Sequence, residues 1–514
     1  MMAHEDLPME KLFCEKGLIV VSPDLYFSRR GSRVLIVEPE TASWCVLNEP
    51  EWTIFCRLAM PAVNGMNNTF YKFQGGKSVK EIHFKDLITA SEFYRLMYLL
   101  YRRNIISING ICYYQPHSLW AVQTYPHYYN LHMTEACNLA CKYCRVHSKQ
   151  EYPMMAPDTC RKIVRRLLEE IPSQNIIVGF HGGEPLLNMQ AITAAALEAK
   201  EVAPRLGKTV RLSLQTNGTL LSPETVETLK HLGIEIGVSL DGPEHIHDRQ
   251  RIDHSGRGSY QNVSHGLDAA NHVGLRTGYL AVVHDPVHYV EVLDYLVRDR
   301  GACSVRINFT CFEGRAKETL DFEVGRGGPL AEGWLKMVDY AIAYQEETGI
   351  WLNIDDINLF VFHLLAKARP HMCYRSPCGI GNSILGFGYD GQIYLCDELV
   401  GDERFRVGSI HDSTPLKELL ENSQIKTTLM NNRKVENIKK CSTCTWRRFH
   451  GSGCLNKSSA FFNETDREDP MCYFFQKVFE ELMWRLWDNP GMANLAGYYK
   501  QYMDVDDAIR SIHI

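Results

Sequence analysis

The sequence predicts an α/β protein centred on a parallel sheet, and two observations in the middle third of the chain support this. Short apolar segments typical of strands alternate with amphipathic segments typical of helices, and the alternation repeats six times. Strands linked in this way run parallel, with a right-handed helical crossover between neighbours. We expect the strands at 128–133, 176–180, 210–215, 235–240, 278–283 and 304–309, and the helices at 158–171, 189–203, 222–232, 259–273 and 287–299.

Local signals support these boundaries. Ser222 followed by Pro223 suits a helix N-terminus, and Gly233 and Gly274 stand where C-terminal caps belong. Polar motifs follow the strands, at the edge where parallel barrels and open α/β sheets place their active sites. Six strand–helix units therefore predict an incomplete barrel with its site at the carboxyl ends of the strands.

Composition excludes several classes of function. The 514 residues suffice for roughly three domains, and the formal charge of −6 offers no basic surface for nucleic acid. No run approaches about 18 apolar residues, so no membrane span is expected. The first residues lack the apolar core of a signal peptide, so we expect the clustered cysteines among the 17 to serve as metal ligands in a reducing cytoplasm.

Three cysteines after the first strand of this sheet, Cys137, Cys141 and Cys144, have C-x3-C-x2-C spacing. Iron–sulfur clusters usually take four cysteines, so three indicate a [4Fe–4S] cluster with one iron open to substrate or cofactor. A tetrahedral zinc site is the alternative and would need a fourth ligand such as His147. Three unrelated buried cysteines are a further alternative.

These cysteines resemble the signature of the radical S-adenosylmethionine (SAM) enzymes, in which SAM binds the open iron through its amino and carboxylate groups. In the same order, 181–185 (HGGEP) resembles the family's GGEP turn, and 215–218 and 238–243 resemble strand ends that hold the ribose and carboxylate. The resemblance implies a partial (β/α)6 barrel of TIM type. It also implies SAM contacts from Gly182, Gly183, Glu184, Pro185, Gln215, Asn217, Ser239, Asp241 and Arg251.

The chemistry implied by this resemblance proceeds by single electrons. A cluster reduced by flavodoxin or ferredoxin cleaves SAM to methionine and a 5′-deoxyadenosyl radical, which abstracts hydrogen from an unactivated C–H bond. Acid–base catalysis cannot break such a bond, so the cofactor carries the difficult step while the protein holds the geometry.

A second set of cysteines begins at residue 373, with C-x4-C-x17-C followed after a gap by C-x2-C-x5-H-x3-C-x17-C. This pattern resembles the SPASM extension of radical SAM enzymes, except that His450 replaces a cysteine. The resemblance implies two auxiliary [4Fe–4S] clusters, three clusters in all. The implied ligands are Cys373, Cys378, Cys396 and Cys454 for the first auxiliary cluster, and Cys441, Cys444, Cys472 and His450 for the second.

Alternatives for this second set stay open. His450 turned away would leave an open iron, and a zinc ribbon would use only part of the set. Asp397 directly follows Cys396. In the anaerobic sulfatase-maturating enzymes, which share this layout, an Asp at that place acts as the substrate base, so Asp397 is a candidate catalytic residue. A supporting role in the turn is the alternative.

Before the sheet, strands are expected at 17–21, 33–37 and 44–47, helices at 49–58, 78–84 and 91–103, and an extended segment at 105–111. This order resembles the PqqD-like winged-helix domains, which bind leader peptides as an added edge strand. A packing or dimerisation domain is the alternative. We therefore expect a PqqD-like domain at 1–120, the barrel at 121–350, the SPASM domain at 351–490, with a helix at 474–487, and a tail at 491–514.

The leading hypothesis is a maturase that forms an intramolecular crosslink, a thioether or a C–C bond, in a ribosomally made precursor peptide with a leader. An anaerobic sulfatase-maturating enzyme, which makes formylglycine, is the alternative within the same chemistry. A non-catalytic electron-transfer protein is the alternative in a different class, but it would leave the SAM motifs without a purpose. The sequence identifies neither the peptide nor the bond.

Overall fold

The computed structural model describes residues 18–59, 76–78, 81–114, 125–146, 148–320 and 327–513. His147, the candidate zinc ligand, lies outside the described residues. The N-terminal part forms two small antiparallel sheets and two helices. Its elements are β1 (Leu18–Val21), β2 (Tyr26–Arg30), β3 (Arg33–Glu38), β4 (Ser43–Leu47), α1 (Glu49–Ala59), β5 (Gly76–Ser78), α2 (Ala90–Arg102) and β6 (Ile106–Ile108).

The order of the first sheet is β2-β3-β4 and that of the second is β5-β1-β6. Strands β2 and β5 were not expected from the sequence. Arg29 and Arg30 break the apolar pattern of β2, and β5 is the three-residue segment Gly-Lys-Ser, which only backbone pairing identifies. The helix expected at 78–84 is wrong, because Ser78 closes β5 and the described residues 81–84 are not α-helical.

Both faces of the first sheet are buried. Val37, Trp44 and Val46 belong to the main core of the protein, whereas the alternate residues Ile36 and Cys45 pack against α1 and α2 in a separate N-terminal core. This follows from the two-residue period of a strand, which sends successive side chains to opposite faces. The N-terminal part is therefore joined to the rest of the molecule through an apolar face.

The six predicted strands form the parallel centre of a ten-stranded sheet, in the order β12-β11-β10-β9-β8-β7. The strands are β7 (Tyr128–His132), β8 (Asn175–His181), β9 (Thr209–Thr216), β10 (Ile234–Ser239), β11 (Thr277–Val283) and β12 (Ser304–Phe309). The helices around them are α3 (Pro157–Glu170), α4 (Met189–Arg205), α5 (Pro223–Leu232), α6 (Glu244–Gln250), α7 (Tyr260–Val273) and α8 (Tyr289–Asp294). The predicted α/β fold is confirmed.

One predicted helix is divided. The segment expected as a single helix at 287–299 begins with the 3-10 turn Pro286–His288, continues as α8 and ends in the π turn Tyr295–Asp299. The amide of Arg300 reaches back five residues to the carbonyl of Tyr295 at 3.2 Å, which accounts for the wider turn.

The sheet extends beyond the six predicted strands at both edges. β13 (Asn353–Ile354) pairs with β12, and β14 (Ile384–Phe387) pairs in parallel with β7. β15 (Gln392–Tyr394) and β16 (Arg406–Ser409) complete the sheet as antiparallel neighbours. Within the described residues the sheet does not close into a barrel, because β7 pairs with β14 and β12 pairs with β13, and β7 and β12 do not pair with each other. Strands after residue 350 thus continue the sheet of the predicted barrel.

The C-terminal half is mostly helical. Its helices are α9 (Ala316–Thr319), α10 (Gly327–Thr348), α11 (Asp355–Leu365), α12 (Leu416–Glu421), α13 (Gln424–Asn432), α14 (Arg447–His450), α15 (Leu455–Phe462), α16 (Cys472–Asp488) and α17 (Val505–Ile512). α16 confirms the helix expected at 474–487. The 3-10 segment Pro490–Tyr502 packs on α11, where the rings of Phe362 and Tyr499 stack with centroids 5.3 Å apart. In the part of the chain that is described, no helix has the length and apolarity of a membrane span.

Candidate active site and metal centres

The loop after β7 holds Cys137, Cys141 and Cys144 against the segment after α6. The amide of Ala140 donates to the carbonyl of Ile252 at 2.7 Å, and that of Lys142 to Gln250 at 2.9 Å. Cys137 and Cys141 are only 7% and 9% exposed, and Cys144 is half-buried. The three thiols and Leu139 form a small cluster of their own at the carboxyl ends of the strands.

The donor set of this loop suits an iron–sulfur cluster. Cys137 Sγ accepts from the amide of Leu139 at 3.4 Å and from Asn217 Nδ2 at 3.7 Å, contacts that favour a thiolate. Burial, and next the Glu184 carboxylate, raise the pKa of Cys137 to about 12. Burial raises the pKa of Cys141 to about 11, although the Arg251 guanidinium acts in the opposite direction. Among the described residues, no three His, Cys, Asp or Glu side chains are placed to share one metal ion. A cube presents a separate iron to each thiolate, so its ligands need not meet at one point.

The HGGEP turn after β8 lies directly against this loop. A Cβ at Gly182 would come 2.2 Å from the carbonyl oxygen of Thr134, and one at Gly183 would come 2.0 Å from that of Ala136. The amides of Gly183 and Glu184 donate to the same two carbonyls at 2.7 and 2.8 Å. The two glycines are therefore required for the close approach of two backbones, and Pro185 then begins a 3-10 turn.

Glu184 is fully buried and connects the ends of β8 and β9. Its carboxylate accepts from Thr216 Oγ1 at 2.7 Å and from the amides of Asn217 at 2.8 Å and Leu186 at 3.0 Å. Burial raises its pKa to about 7, although these hydrogen bonds act in the opposite direction. In this structure Glu184 orders the turn through its side chain.

Three further predicted SAM contacts lie at the ends of β9 and β10. Gln215 Nε2 donates to Ser239 Oγ at 2.9 Å, so these two residues are neighbours across adjacent strands. Asn217 Nδ2 donates to Asn138 Oδ1 at 2.8 Å, between the cysteines Cys137 and Cys141. The strand ends and the cysteine loop therefore form one connected polar network.

Asp241 and Arg251 form a buried ion pair, with Arg251 Nε 3.0 Å from Asp241 Oδ2. The same carboxylate accepts from the hydroxyl of Tyr143 at 2.5 Å and from the amide of Val282 at 2.9 Å. Both carboxylate oxygens of Asp241 are thus engaged by protein groups. In this structure Asp241 holds the side chains of Arg251 and Tyr143 in place near Cys141. The Arg251 guanidinium opposes the effect of burial on the pKa of Cys141.

The cysteines of the second set fall into two groups by their electrostatic influence on one another. Cys378 raises the pKa of Cys373, and Cys373 raises those of Cys396 and Cys454, in each case after the larger effect of burial. Cys441 and Cys444 act in the same way on Cys472. These groups coincide with the two ligand sets implied by the SPASM resemblance. Asp469 stands between them, since its carboxylate accepts from the amide of Cys454 at 3.1 Å and its carbonyl from that of Cys472 at 3.1 Å.

His450 packs against aromatic residues near both groups, and its ring centroid lies 5.7 Å from that of Tyr374, which follows Cys373. Its ring stacks on that of Phe475, one turn after Cys472 on α16, with centroids 3.8 Å apart. Burial lowers the pKa of His450 to about 4, so the imidazole is neutral at physiological pH, the form that binds metals. Its place against the helix start that carries Cys472 suits the ligand role predicted for it.

Asp397 lies against the face of the central sheet that points away from the apolar core under the helices. Residues such as Tyr129, Leu131, Val178 and Phe180 belong to the core beneath the helices, so the alternate residues point to the opposite face. That face carries polar side chains, and we call it the polar face: Asn130, His132, His181, Gln215, Ser239 and Arg306. Asn130 Nδ2 donates to Asp397 Oδ2 at 2.8 Å. Despite burial, which acts in the opposite direction, Arg145, His181 and His132 hold the pKa of Asp397 below its usual value.

Sequence reasoning missed several residues of this region. His132 and His181 end adjacent strands, and Asn130 precedes them on β7. Polar residues at every second position of an otherwise apolar strand were the available signal. Arg315, on the loop after β12, had no such signal. Its guanidinium donates to the carbonyls of Cys141 at 2.8 Å and Ser148 at 2.5 Å. Arg315 thus connects the end of β12 to the cysteine loop after β7, at the other end of the row of six strands.

Several known proteins are similar to this chain. A serine-type anaerobic sulfatase-maturating enzyme of Klebsiella aerogenes is 26% identical over 362 residues, 68% of this chain and 83% of that protein. A cysteine-type enzyme of Clostridium perfringens is 25% identical over 368 residues, 69% of this chain and 95% of that protein. Among solved structures, anSMEcpe with bound AdoMet has a TM-score of 0.62 at 20% identity and covers 72% of this chain and all of its own. Streptococcus suis SuiB bound to precursor peptide SuiA has a TM-score of 0.51 at 15% identity and covers 88% of this chain and 99% of its own.

Two family models match the segments that carry the cysteines. Residues 131–296 match the radical SAM superfamily, and residues 378–445 match SPASM, an iron–sulfur cluster-binding domain. These domains indicate that the protein uses SAM and iron–sulfur clusters, in agreement with the donor sets described above. The chain therefore contains a radical SAM domain followed by a SPASM domain, and it is an enzyme.

Proposed function

We propose that this enzyme matures a ribosomally made peptide by forming an intramolecular crosslink, either a thioether or a C–C bond. The observation that carries the proposal is the N-terminal part, residues 18–114, which is joined to the C-terminal helices. Sulfatase-maturating relatives match 54–69% of this chain in sequence, and the anSMEcpe structures match 72–76%. The match to SuiB, a structure with a bound precursor peptide, covers 88%. The wider match supports a comparison of this chain, which has a domain before its parallel sheet, with an enzyme that binds a precursor peptide.

The N-terminal part is proposed to bind the leader of the precursor peptide. Its first sheet has β2 and β4 as outer strands, each paired on one side only in the described residues. An extended peptide added to such an edge gains main-chain hydrogen bonds, as in other strand-addition complexes. Tyr26 and Ser28 on β2 donate to Glu480 on α16 at 3.0 and 2.5 Å, and Arg30 pairs with Glu481 at 2.5 Å. The sheet is therefore held in a fixed position relative to the catalytic domains.

Cys137, Cys141 and Cys144 are proposed to hold the radical-generating [4Fe–4S] cluster, with SAM on its open iron. The turn at Gly182–Pro185, the pair Gln215 and Ser239, and Arg251 are proposed to bind SAM. When bound, the reduced cluster and SAM supply a 5′-deoxyadenosyl radical that abstracts hydrogen from the peptide. This chain's own residues orient the two cofactors, exclude water from the loop and present the polar face to the substrate.

The two auxiliary clusters are assigned to the two cysteine groups described above, with His450 completing the second. With four protein ligands each, these clusters would accept an electron from the substrate intermediate, and only a second cluster without His450 as ligand would bind a substrate thiolate at an open iron. Asp397, which accepts a hydrogen bond from Asn130 and follows the proposed ligand Cys396, is proposed to take the proton released when the crosslink forms. A reductant such as flavodoxin or ferredoxin would supply the electron.

A sulfatase-maturating activity is the second candidate, and one observation favours it. Asp397 directly follows Cys396 and its carboxylate lies on the polar face, as the sequence resemblance to sulfatase-maturating enzymes implies for a substrate base. The relatives of K. aerogenes and C. perfringens belong to that class. Both candidates share the radical chemistry and differ in the substrate.

The experiment that separates them uses the enzyme reconstituted anaerobically with iron and sulfide, reduced, and supplied with SAM. Short peptides encoded beside the gene, and peptides carrying the sulfatase Cys or Ser motif, are offered in parallel and analysed by mass spectrometry. A crosslinked product, which has lost two hydrogens and does not react with an aminooxy probe, supports the proposal. An aldehyde that reacts with the probe, made only from the sulfatase peptides, would replace it with the second candidate.

A further inference from the structure

Arg433 is a fully buried cation at the C-terminal end of α13. Its guanidinium donates to the carbonyls of Thr465 at 3.2 Å, Arg467 at 2.5 Å and Gly453 at 3.2 Å, to the carbonyl of Ser452, and to the hydroxyl of Ser458 at 3.5 Å. Nε is buried without a hydrogen-bond partner in the described residues. Among these residues the side chain thus binds main-chain carbonyls and a hydroxyl and pairs with no carboxylate.

These contacts reach the segments that carry the auxiliary ligands. Ser452 and Gly453 directly precede Cys454, which belongs to the first group. Thr465 and Arg467 precede Cys472, which belongs to the second. Two residues after Arg433, the amide of Val435 donates to Ser376 Oγ at 2.8 Å, in the segment between Cys373 and Cys378. One side chain therefore lies where the segments of both groups meet.

The turn held by Arg433 is fixed from its other side by Asp469. The Asp469 carboxylate accepts from the amide of Cys454, and a Cβ at Gly453 would come 2.5 Å from Asp469 Cβ. Carbonyl dipoles solvate a buried guanidinium only in part, and an unpaired buried charge is strongly unfavourable. A further negative charge close to Arg433 would therefore stabilise the complete protein.

We infer that Arg433 is a positioning residue shared by both auxiliary sites, and that its charge is offset by the anionic cluster held by Cys441, Cys444 and Cys472. The inference rests on the auxiliary ligands assigned in the proposed function. Cys441 follows Arg433 by eight positions, and Val435, two residues after Arg433, is buried with Ile438 and Cys441 in one small apolar cluster. A cube bound by three thiolates and one neutral imidazole still has net negative charge. The positive charge beside it favours the reduced state, because reduction adds a further negative charge.

The test uses the full chain with Cys137, Cys141 and Cys144 replaced by Ala, so that only auxiliary clusters are loaded. Into this parent we introduce Arg433→Met, Arg433→Gln and Arg433→Lys. Lys434→Met, which removes an exposed cation at the next residue, is the matched control. Iron and sulfide are counted after anaerobic reconstitution, and reduction is followed by EPR during a potentiometric titration.

We expect Arg433→Gln to disfavour cluster reduction by at least about tenfold, which for one electron corresponds to a potential lower by about 59 mV. Arg433→Lys and Lys434→Met should stay close to the parent. Arg433→Met should in addition lose auxiliary iron, because the turn before Cys454 is released. Equal potentials for Arg433→Gln and Arg433→Lys would overturn the inference even if Arg433→Met fails to fold. A parent without auxiliary iron would instead refute the ligand assignment of the proposed function.

Discussion

The side-chain amide of Asn130, on β7, donates a hydrogen bond of 2.8 Å to the carboxylate of Asp397, 267 residues later in the chain. The first residue belongs to the central parallel sheet and the second directly follows the auxiliary ligand Cys396. His132, on the same strand, and His181, on β8, act on the same carboxylate. The polar face of the sheet therefore lies next to the proposed first auxiliary site, so a substrate on that face would be close to both.

Replacing Asn130 by Leu should uncouple the reaction. Asp397 loses the group that orients it, so peptide product per 5′-deoxyadenosine released should fall by about tenfold, a small part of what a general base contributes. Release of 5′-deoxyadenosine itself should continue, because the cysteine loop is untouched. Liquid chromatography of both products from one reaction measures the ratio. Asn175→Leu, at the exposed start of β8, is the control, and an unchanged ratio in Asn130→Leu would show that Asp397 needs no such support.

The pH dependence of stability should report on Glu184. Burial raises its pKa from 4.5 to about 7. A carboxyl with a raised pKa contributes stability below its unfolded pKa, and this contribution is lost as the pH rises through the folded value. Between pH 4.5 and 7 the metal-free protein should lose about 3 kcal/mol on this account, at 1.36 kcal/mol for each pKa unit.

Glu184→Gln removes that titration, because the amide resembles the protonated carboxyl at all pH values. Urea unfolding of the metal-free proteins should give similar stabilities at pH 5 and a more stable variant at pH 8. The exposed Glu227→Gln serves as the control and should follow the wild type. Parallel curves for wild type and Glu184→Gln across this range would mean that the carboxylate is well solvated by its hydrogen bonds.

Replacing His450 by Cys should lower the reduction potential of one auxiliary cluster. A thiolate is anionic and a neutral imidazole is not, so the cysteine stabilises the oxidised cluster. The measurement is a potentiometric EPR titration of the reconstituted protein. Superimposable titrations for the variant and the wild type would indicate that His450 is not a ligand and only packs on Phe475.

Trp44→Ala should destabilise the whole molecule as well as the N-terminal part. Trp44 is buried in the main core, and its Nε1 donates to the carbonyl of Leu364 on α11 at 2.8 Å. The expected loss is about 3–5 kcal/mol, as for other buried aromatic residues. Chemical unfolding measures it, with the exposed Leu197→Ala as the control. A loss below about 1 kcal/mol would show that the interface is weakly coupled to the global fold.

The sequence predicts the centre of the molecule well, because local pattern and global fold agree there. β7 to β12 begin and end within two residues of the expected bounds, and the glycine caps at Gly233 and Gly274 have the expected left-handed conformation. The N-terminal strands β2 and β5 are identified only by their partners, which no local pattern encodes. The 3-10 segment after α16 was equally hidden, since its burial depends on α11, more than 120 positions earlier in the chain.

For the candidate site, the spacing of the cysteines in the sequence indicated which residues could bind clusters. The sequence did not indicate which partners the polar side chains contact. The division of the cysteines into Cys373, Cys378, Cys396 and Cys454 and a second set of three stays a prediction, supported by their mutual effects on the thiol pKa values. Asp241 was expected to reach SAM, yet both of its oxygens are bound by Arg251, Tyr143 and Val282. A residue such as Arg315 contacts main-chain carbonyls, and a sequence gives no pattern for such contacts.

Counting iron and sulfide tests the central claim most directly. The wild type and the variant with Cys137, Cys141 and Cys144 replaced by Ala are reconstituted anaerobically and assayed side by side for 5′-deoxyadenosine. We expect about twelve irons in the wild type and about eight in the variant, at four per cube, with nucleoside release only from the wild type. Equal iron in the two proteins, or continued release of 5′-deoxyadenosine from the variant, would contradict the assignment of the radical-generating cluster to these three cysteines.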